Sequence, residues 1–246
     1  MRFFITLSYC GANYHGWQIQ PHDDSVQQTV ENALALLLRH PVSVTGAGRT
    51  DTAVNAMMMV AHFDAQADIA TRLDDICHRL NGILPRDIAI HGIRPVHDNA
   101  HARFDATART YKYFLHTAKS PFLHSSSYFC PHTIDFPLMN HAAASLLSHR
   151  DFTSFSKLHT DVKTNICVVT HAAWTQIDPT RWIFTITADR FLRNMVRAIV
   201  GTLLDVGRHK ITLQQFEQII LQKNRCRAGT SMPGHALYLW DITYPY

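Results

Sequence analysis

Hydrophobic and polar residues follow two spacings along this chain, one typical of strands and the other of helices. Strand patterns occupy residues 2–9, 109–117, 166–176, 182–188 and 236–243, and the apolar run over 57–63 is typical of a buried strand. Helices are predicted to begin near residues 25, 71, 135, 191 and 212. Two of these starts are predicted capping boxes, Ser25-Val-Gln-Gln28 and Thr212-Leu-Gln-Gln215.

Strands and helices interleave along the whole chain, which predicts an α+β fold. The helix that begins at 71 is expected to end near 80, the one at 191 near 206 and the one at 212 near 223. No long linker or low-complexity segment interrupts the pattern, and the least patterned stretch covers 100–108. We therefore expect an N-terminal half over 1–105 and a C-terminal half over 106–246.

Composition predicts an ordinary soluble globular protein, and the pattern of cysteines predicts a cytoplasmic one. Of its 246 residues, 46% are hydrophobic and 17% are charged, which argues against disorder. No apolar run approaches the roughly 18 residues that span a bilayer, and the first eight residues resemble a strand rather than a signal peptide. The five cysteines lack a Cys-x-x-Cys spacing, so we expect reduced thiols.

Charge and histidine content narrow the classes of ligand only slightly. A net charge of +4 permits nucleic-acid binding without proving it. The 17 histidines are dispersed and form no cluster at metal-ligand spacing, so no metal is predicted. A dinucleotide fingerprint is also missing from the sequence, and we expect no cofactor.

The segment Gly46-Ala-Gly-Arg-Thr-Asp51 concentrates chemistry on a predicted loop. Gly46 and Gly48 permit backbone conformations closed to other residues, so that a ligand or a second strand can approach closely. Arg49 offers a planar fork of donors for phosphate or carboxylate, and Asp51 offers a nucleophile or base. An equally ordinary interpretation is a turn that the arginine and the aspartate hold together.

The predicted helix over 191–206 carries two arginines beside apolar residues. Arg193 and Arg197 fall on a face shared with Val200 and Leu204, which predicts that at least one guanidinium is partly buried. A buried guanidinium needs an anionic or hydrogen-bonded partner. The alternative is that each arginine lays its stem over the face and extends its charge into water.

Taken in order, these segments resemble the tRNA pseudouridine synthase A family. The similar motifs are Tyr9-Cys-Gly-Ala-Asn-Tyr-His-Gly-Trp-Gln18, Ser25-Val-Gln27, Gly48-Arg-Thr-Asp51, His101-Ala-Arg-Phe104, Ala108-Arg-Thr-Tyr-Lys-Tyr113, Phe191-Leu-Arg-Asn-Met-Val-Arg-Ala-Ile-Val-Gly201 and Ala236-Leu-Tyr-Leu239. A single Gly-Arg-Thr-Asp match would carry little weight. Several motifs in the right order, covering nearly the whole chain, carry much more.

The resemblance implies an isomerase that converts uridine to pseudouridine at nucleotides 38 to 40 of the tRNA anticodon stem-loop. It implies Asp51 as the nucleophile, Arg197 as its cationic partner, Tyr111 stacked on the target base and Arg49 on a phosphate or neighbouring nucleotide. It also implies a pseudouridine synthase fold of two ferredoxin-like halves whose sheets meet at a central cleft, and a homodimer that binds tRNA. Attack on the base and attack on the ribose both remain open.

The loop after Asp51 departs from the family pattern. Ala53 replaces a glycine, so a positive backbone dihedral there would cost of order 1 kcal/mol. Asn55 replaces a histidine and therefore loses a group that can carry charge. These departures, with Thr52, favour the first alternative, a tRNA-binding protein without catalysis. A second alternative is a hydrolase in which Asp51 works with Asp64 or Asp105.

Basic residues elsewhere are candidates for phosphate contacts, although charged residues usually occupy solvated surfaces. The candidates are Arg103, Arg109, Lys112, Arg190 and Arg193, together with a basic cluster of Lys223, Arg225 and Arg227 that would bind phosphate as a unit.

Overall fold

The structure, a computed structural model, describes residues 1–157 and 164–246. Its strands are β1 (Arg2–Tyr9), β2 (Thr45–Gly46), β3 (Asn55–Asp64), β4 (Ile88–Val96), β5 (Ala108–His116), β6 (Tyr128–Phe129), β7 (Val169–Asp178), β8 (Arg181–Ala188) and β9 (Leu237–Thr243). Its α-helices are α1 (Val26–Leu38), α2 (Leu73–Ile83), α3 (Phe136–Ser145), α4 (Met195–Gly207) and α5 (Leu213–Leu221). Strands and helices interleave, and within the described ranges no helix has the length and apolarity needed to cross a membrane.

The chain divides into two compact units, Met1–Thr107 with Leu239–Tyr246, and Ala108–Tyr238. In the first unit β1 lies between β3 and β4 and is antiparallel to both, with Ile5 opposite Ala61 on one side and Ile93 on the other. The short strand β2 also pairs with β3. Helix α2 packs on β4 and contacts α1. The predicted halves, 1–105 and 106–246, stay a prediction.

In the second unit β8 is the central strand and is antiparallel to both neighbours. Phe184 of β8 lies opposite Tyr113 of β5 on one side and Trp174 of β7 on the other, and all three side chains are buried. Helix α3 packs on β7 and contacts α4 and α5. Most side chains of α4 are buried, so this helix forms the centre of the helical layer.

Several predicted elements are confirmed with close bounds. β1 covers the predicted residues, and the apolar run over 57–63 lies inside β3. Ser25 caps α1 by accepting from the backbone of Gln28, while the Gln28 side chain bonds Asn32 instead of completing the box. Thr212 and Gln215 form the complete capping box of α5.

The predicted start of the helix over 191–206 is wrong. α4 begins at Met195, because Asn194 adopts a left-handed conformation with φ of 67° that a right-handed helix cannot continue through. The Asn194 side chain also bonds the hydroxyl of Ser231 at 2.5 Å. Arg193 therefore precedes the helix and is exposed, whereas Arg197 lies in its first turn.

Strand β4 was not predicted. It contains Gly92 and Pro95, which weaken a strand pattern in the sequence. β4 stands at the end of the strand order β4-β1-β3, where a proline that cannot donate to a neighbour is tolerated.

Candidate active site

The loop that carries Asp51 is held by hydrogen bonds from the end of β1 and from the segment that follows it. The hydroxyls of Tyr9 and Thr50 lie 2.8 Å apart in the interior. The carbonyl of Thr50 accepts a hydrogen bond from the backbone of Trp17 at 3.3 Å. Thr50 is thus fixed through both its side chain and its backbone. Asp51, the next residue, is half-buried at the surface of this loop.

Two glycines of the Tyr9–Gln18 segment are required because this segment passes close to the Asp51 loop. A Cβ on Gly11 would lie 2.2 Å from the carbonyl oxygen of Val54, and one on Gly16 would lie 2.3 Å from that of Thr50. Gly16 also has a φ of 100°, which side-chain-bearing residues rarely adopt. The glycines of the Tyr9–Gln18 motif therefore let the chain pass directly against the Asp51 loop.

The conformational role predicted for the loop glycines is wrong. Neither Gly46 nor Gly48 has a positive φ. Gly46 is needed for space, because a Cβ there would lie 2.6 Å from the indole ring of Trp17. A Cβ on Gly48 would meet no other atom within 4 Å, so the structure gives no packing reason for this glycine.

The left-handed residue of the loop is Ala53, with a φ of 61°. Its backbone donates to the carbonyl of Tyr14 at 3.2 Å, which fixes this conformation. An alanine there costs of order 1 kcal/mol relative to glycine. Ala53, which replaces the glycine of the family pattern, is therefore a strained residue in this fold.

Asn55 has a structural role next to the loop. Its side chain is buried, and its Oδ1 accepts a hydrogen bond from the backbone of Gly11 at 2.9 Å. A neutral acceptor is sufficient for that contact. The replacement of histidine by asparagine is thus compatible with an ordered loop.

Asp87 ties the first segment to the rest of the unit, and no signal in the sequence indicated it. Its carboxylate accepts from the hydroxyl of Tyr14 at 2.8 Å and from the side chain of Asn13 at 2.9 Å. Its carbonyl accepts from the backbone of Cys10 at 2.9 Å. Burial, and then the bond to Asp87, raise the pKa of Tyr14, which therefore stays a neutral donor.

Two tyrosines that share a face of β5 differ in their surroundings. Tyr113 is fully buried, and its hydroxyl donates to the carbonyl of Pro233 at 3.3 Å. Burial raises its pKa. Tyr111 is half-buried and meets Phe191 edge to face, with ring centroids 5.0 Å apart. Tyr111 therefore keeps some solvent exposure, whereas Tyr113 belongs to the core.

Arg197 is half-buried and Arg193 is exposed, which confirms the prediction that at least one of the two guanidinium groups is partly buried. Nε of Arg197 donates to the carbonyl of Met232 at 2.5 Å, and the backbone of Met232 donates back to the carbonyl of Arg197 at 3.1 Å. These contacts hold the guanidinium stem against the 231–233 segment.

Asp51 and the exposed Arg49 belong to the unit Met1–Thr107, and Tyr111 and Arg197 belong to Ala108–Tyr238. The roles of these four residues stay predictions.

The two carboxylates considered for a hydrolase are both engaged in structural contacts. Asp64 accepts two hydrogen bonds from Arg2, at 2.9 and 2.8 Å. Asp105 accepts from the backbone of His101 at 2.7 Å and from the hydroxyl of Tyr246 at 2.9 Å. The Arg2 hydrogen bond lowers the pKa of Asp64, and the backbone bond from His101 lowers that of Asp105. A general acid would need the opposite shift.

Two members of the predicted basic cluster also have internal partners. Lys223 forms an ion pair with Asp151 at 2.9 Å. Arg225 donates to the carbonyls of Ala228 and Gly229 and to the hydroxyl of Ser231. These contacts weaken the prediction that the three residues act together on phosphate.

Known proteins match this chain over nearly its whole length. A family model described as tRNA pseudouridine synthase matches residues 5–105 and 142–245. A tRNA pseudouridine synthase A from Parabacteroides distasonis is 57% identical over 244 residues, which cover 99% of this chain and 96% of that protein. Proteins of the same name from Bacteroides fragilis and Bacteroides thetaiotaomicron are each 56% identical over 99% of this chain, and the matches cover 96% and 91% of those proteins. The resemblance found in the sequence is confirmed, and the chain belongs to the tRNA pseudouridine synthase family.

Proposed function

We propose that this chain converts uridine to pseudouridine at positions 38 to 40 of the tRNA anticodon stem-loop, with Asp51 as the nucleophile. The observation that carries the proposal is the fixation of the Asp51 loop by the Tyr9–Gln18 segment, through Thr50, Ala53 and Asn55. A nucleophile must be held in a defined geometry, and a loop fixed at several points on a strand-based unit meets that requirement.

The reaction is an isomerisation and needs no redox partner. The bond from the base nitrogen to the ribose anomeric carbon breaks, and a bond from a base carbon to the same ribose carbon forms. The proton on that base carbon leaves, and the freed nitrogen gains one, so the atoms balance. Asp51 forms a transient covalent bond to the base or to the anomeric carbon.

The other predicted residues receive roles that their surroundings support. Arg197 supplies a positive charge to the Asp51 carboxylate, and its bond to Met232 holds the guanidinium stem in one orientation. Tyr111 is half-buried, and its ring stacks on the target base. Arg49 is exposed and contacts a phosphate or the neighbouring nucleotide. The target uridine leaves its stack to reach Asp51.

The proposal extends to architecture and assembly. We expect two ferredoxin-like halves with a central cleft, a homodimer that binds tRNA, and a cytoplasmic location. Membership in the family supports each of these expectations. No cofactor or metal takes part in the proposed reaction.

The test is pseudouridine formation in an unmodified tRNA that carries uridines at 38 to 40. Wild type is compared with Asp51→Asn, which keeps the side-chain shape, and with Asp74→Asn, an exposed aspartate of α2. We expect product from wild type and Asp74→Asn and none from Asp51→Asn, with tRNA bound by all three. Product from Asp51→Asn would remove Asp51 as nucleophile.

Two other outcomes would redirect the proposal. Binding of tRNA by every protein without product from any would favour a tRNA-binding protein that lacks catalysis. Pseudouridine at other positions, mapped by chemical modification and primer extension, would contradict the anticodon stem-loop assignment.

A further inference from the structure

Phe104 is a large aromatic residue that the fold presents to solvent. Its exposed fraction is 74%, whereas the residues around it in the sequence are held in a compact turn. Nδ1 of His101 accepts from the backbones of Arg103 and Phe104 at 3.1 and 3.2 Å. The backbone of His101 donates to the carboxylate of Asp105 at 2.7 Å. With the bond from the backbone of Asp105 to the carbonyl of His101 at 3.0 Å, four hydrogen bonds close the turn on itself.

Contacts with the rest of the unit also hold this turn in place. The backbone of Ala102 donates to Nδ1 of the buried His62 at 3.2 Å, and the carbonyl of Ala102 accepts from the hydroxyl of Tyr244 at 2.5 Å. The hydroxyl of Tyr246 donates to Asp105 at 2.9 Å. The turn is thus tied to β3 and to the C-terminal segment, so the position of Phe104 is defined by ordered structure.

The Phe104 ring packs against the ring of His101 and lies beside the guanidinium group of Arg103. The His101 ring lies 4.2 Å from it, centroid to centroid, at an interplanar angle of 32°. The guanidinium carbon of Arg103 lies 5.8 Å from the ring centroid. A flat ring backed by a second ring, with a cation at its side, is an arrangement that suits a nucleobase.

The neighbouring surface continues the same chemistry. Tyr246 is 45% exposed, with the His97 ring 5.0 Å from its ring and the guanidinium carbon of Arg94 5.9 Å from its centroid. We name this region the Phe104 surface; it consists of Arg94, His97, Arg103, Phe104 and Tyr246. Each of its two exposed rings, Phe104 and Tyr246, has a guanidinium group beside it, as on surfaces that bind single-stranded nucleic acid.

We infer that Phe104 stacks on an unpaired nucleobase of the tRNA substrate, with Arg103 directed to an adjacent phosphate. This inference rests on the proposed function, because it takes tRNA as the ligand. It adds a binding residue outside the Asp51 loop. A base is favoured over an apolar protein surface because guanidinium groups flank the exposed rings, and phosphates accompany every base.

The experiment compares Phe104→Leu, which removes the ring but keeps an apolar side chain, with Phe104→Trp, which keeps an aromatic face. The control is Phe122→Leu, since Phe122 is 89% exposed and lies outside the Phe104 surface. Binding of unmodified tRNA is measured by filter binding at fixed salt, with pseudouridine formation in a single turnover and the oligomeric mass in parallel. Equal far-UV spectra and melting temperatures verify folding.

We expect Phe104→Leu to raise the Kd for tRNA about five- to 150-fold, the effect of losing one stacked base. Phe104→Trp retains wild-type affinity within about threefold, and Phe122→Leu matches wild type. Arg103→Gln lowers the slope of log K against log salt by about one, whereas Phe104→Leu leaves the slope unchanged.

Wild-type affinity in Phe104→Leu, while wild type makes pseudouridine, would overturn this inference and leave the proposed function standing. Loss of affinity in Phe104→Trp equal to that in Phe104→Leu would also overturn stacking. A change of oligomeric mass in Phe104→Leu would assign the surface to a second copy of the chain instead. Failure of wild type to bind tRNA would reject both this inference and the proposed function.

Discussion

The hydroxyl oxygens of Tyr9 and Thr50 lie 2.8 Å apart in the interior of the first unit, one residue before Asp51. Tyr9 ends β1, and Thr50 lies in the loop between β2 and β3. The hydrogen bond therefore connects the loop to the regular strand structure beneath it. It fixes the backbone from which the Asp51 side chain projects.

Removal of this bond is expected to affect turnover more than tRNA binding. Tyr9→Phe leaves the Thr50 hydroxyl without this partner, so we expect a loss of about 1–2 kcal/mol in the free energy of unfolding. A displaced Asp51 should lower single-turnover pseudouridine formation about tenfold at an unchanged Kd for tRNA. Thr50→Val and the double variant complete a double-mutant cycle, in which urea denaturation measures the free energy of unfolding of each protein. Strict additivity in that cycle would show that the two hydroxyls do not interact.

Ala53 offers a position at which the loop can be stabilised. Because its φ is 61°, Ala53→Gly should raise the free energy of unfolding by about 1 kcal/mol. The matched control is Ala56→Gly, in β3, where glycine should lower it by about 0.5–1 kcal/mol. Urea denaturation of the three proteins measures both changes. A loss of stability in Ala53→Gly would show that the left-handed conformation is not populated in solution.

The main elements of the fold follow from local patterns, but the support of the loop does not. β1 and the capping residues Ser25 and Thr212 depend on neighbours in sequence, and they were predicted. The bond from Gly11 to Asn55 joins residues 44 positions apart, and no periodicity encodes it. The motif that begins at Tyr9 was visible, whereas its function as support for the Asp51 loop required the three-dimensional arrangement.

The differences between predicted and observed features have similar physical causes. Helical spacing extended the fourth helix to residue 191, since apolar spacing does not reveal the left-handed backbone of Asn194. Arg225 was grouped with exposed cations because sequence shows charge and not partners, and in the fold it bonds two carbonyls. The assignment of Arg197 as the partner of Asp51 came from the resemblance and stays a prediction.

The buried His62 should make the first unit sensitive to acid. Burial, and then the charges of Arg2 and His101, lower the pKa of His62 to about 4 from an ordinary 6.5. The unfolded chain binds a proton on His62 at higher pH than the folded chain does. The contribution of neutral His62 to the free energy of unfolding is therefore complete above pH 6.5 and is lost as the pH falls toward 4. The difference of about 2.5 between the pKa values of the unfolded and folded chains corresponds to about 3 kcal/mol in the free energy of unfolding.

His62→Asn is the variant that tests this dependence. Its side-chain oxygen can accept from the backbone of Ala102 as Nδ1 does now, but it does not titrate. We expect a flatter profile of unfolding free energy between pH 6.5 and 4.5, measured by urea denaturation. Some slope remains, because burial also lowers the pKa of His101, and Asp64 and Asp105 face the same cluster. Parallel profiles in both proteins would contradict the assignment to His62.

Arg197 is expected to act on the chemical step. Arg197→Ala should lower single-turnover pseudouridine formation at least a hundredfold while changing the Kd for tRNA little, since the proposed role is stabilisation of charge on Asp51. Some loss of stability accompanies it, because the bond to Met232 is removed. Arg79→Ala is the matched control, an exposed arginine of α2 outside the predicted phosphate contacts. Equal activity of Arg197→Ala and wild type would refute the role.

Arg225 and Arg227 are expected to have different roles, Arg225 in the stability of the fold and Arg227 in contact with tRNA. Arg225→Ala loses the bonds to two carbonyls and to Ser231, so we expect a drop of about 1–3 kcal/mol in the free energy of unfolding. Arg227 is exposed, and Arg227→Ala should leave stability within about 0.5 kcal/mol. If Arg227 contacts phosphate, the salt slope of tRNA binding falls by about one in that variant. An unchanged slope would remove Arg227 from the tRNA interface, and an unchanged stability of Arg225→Ala would show that its carbonyl contacts contribute nothing to the fold.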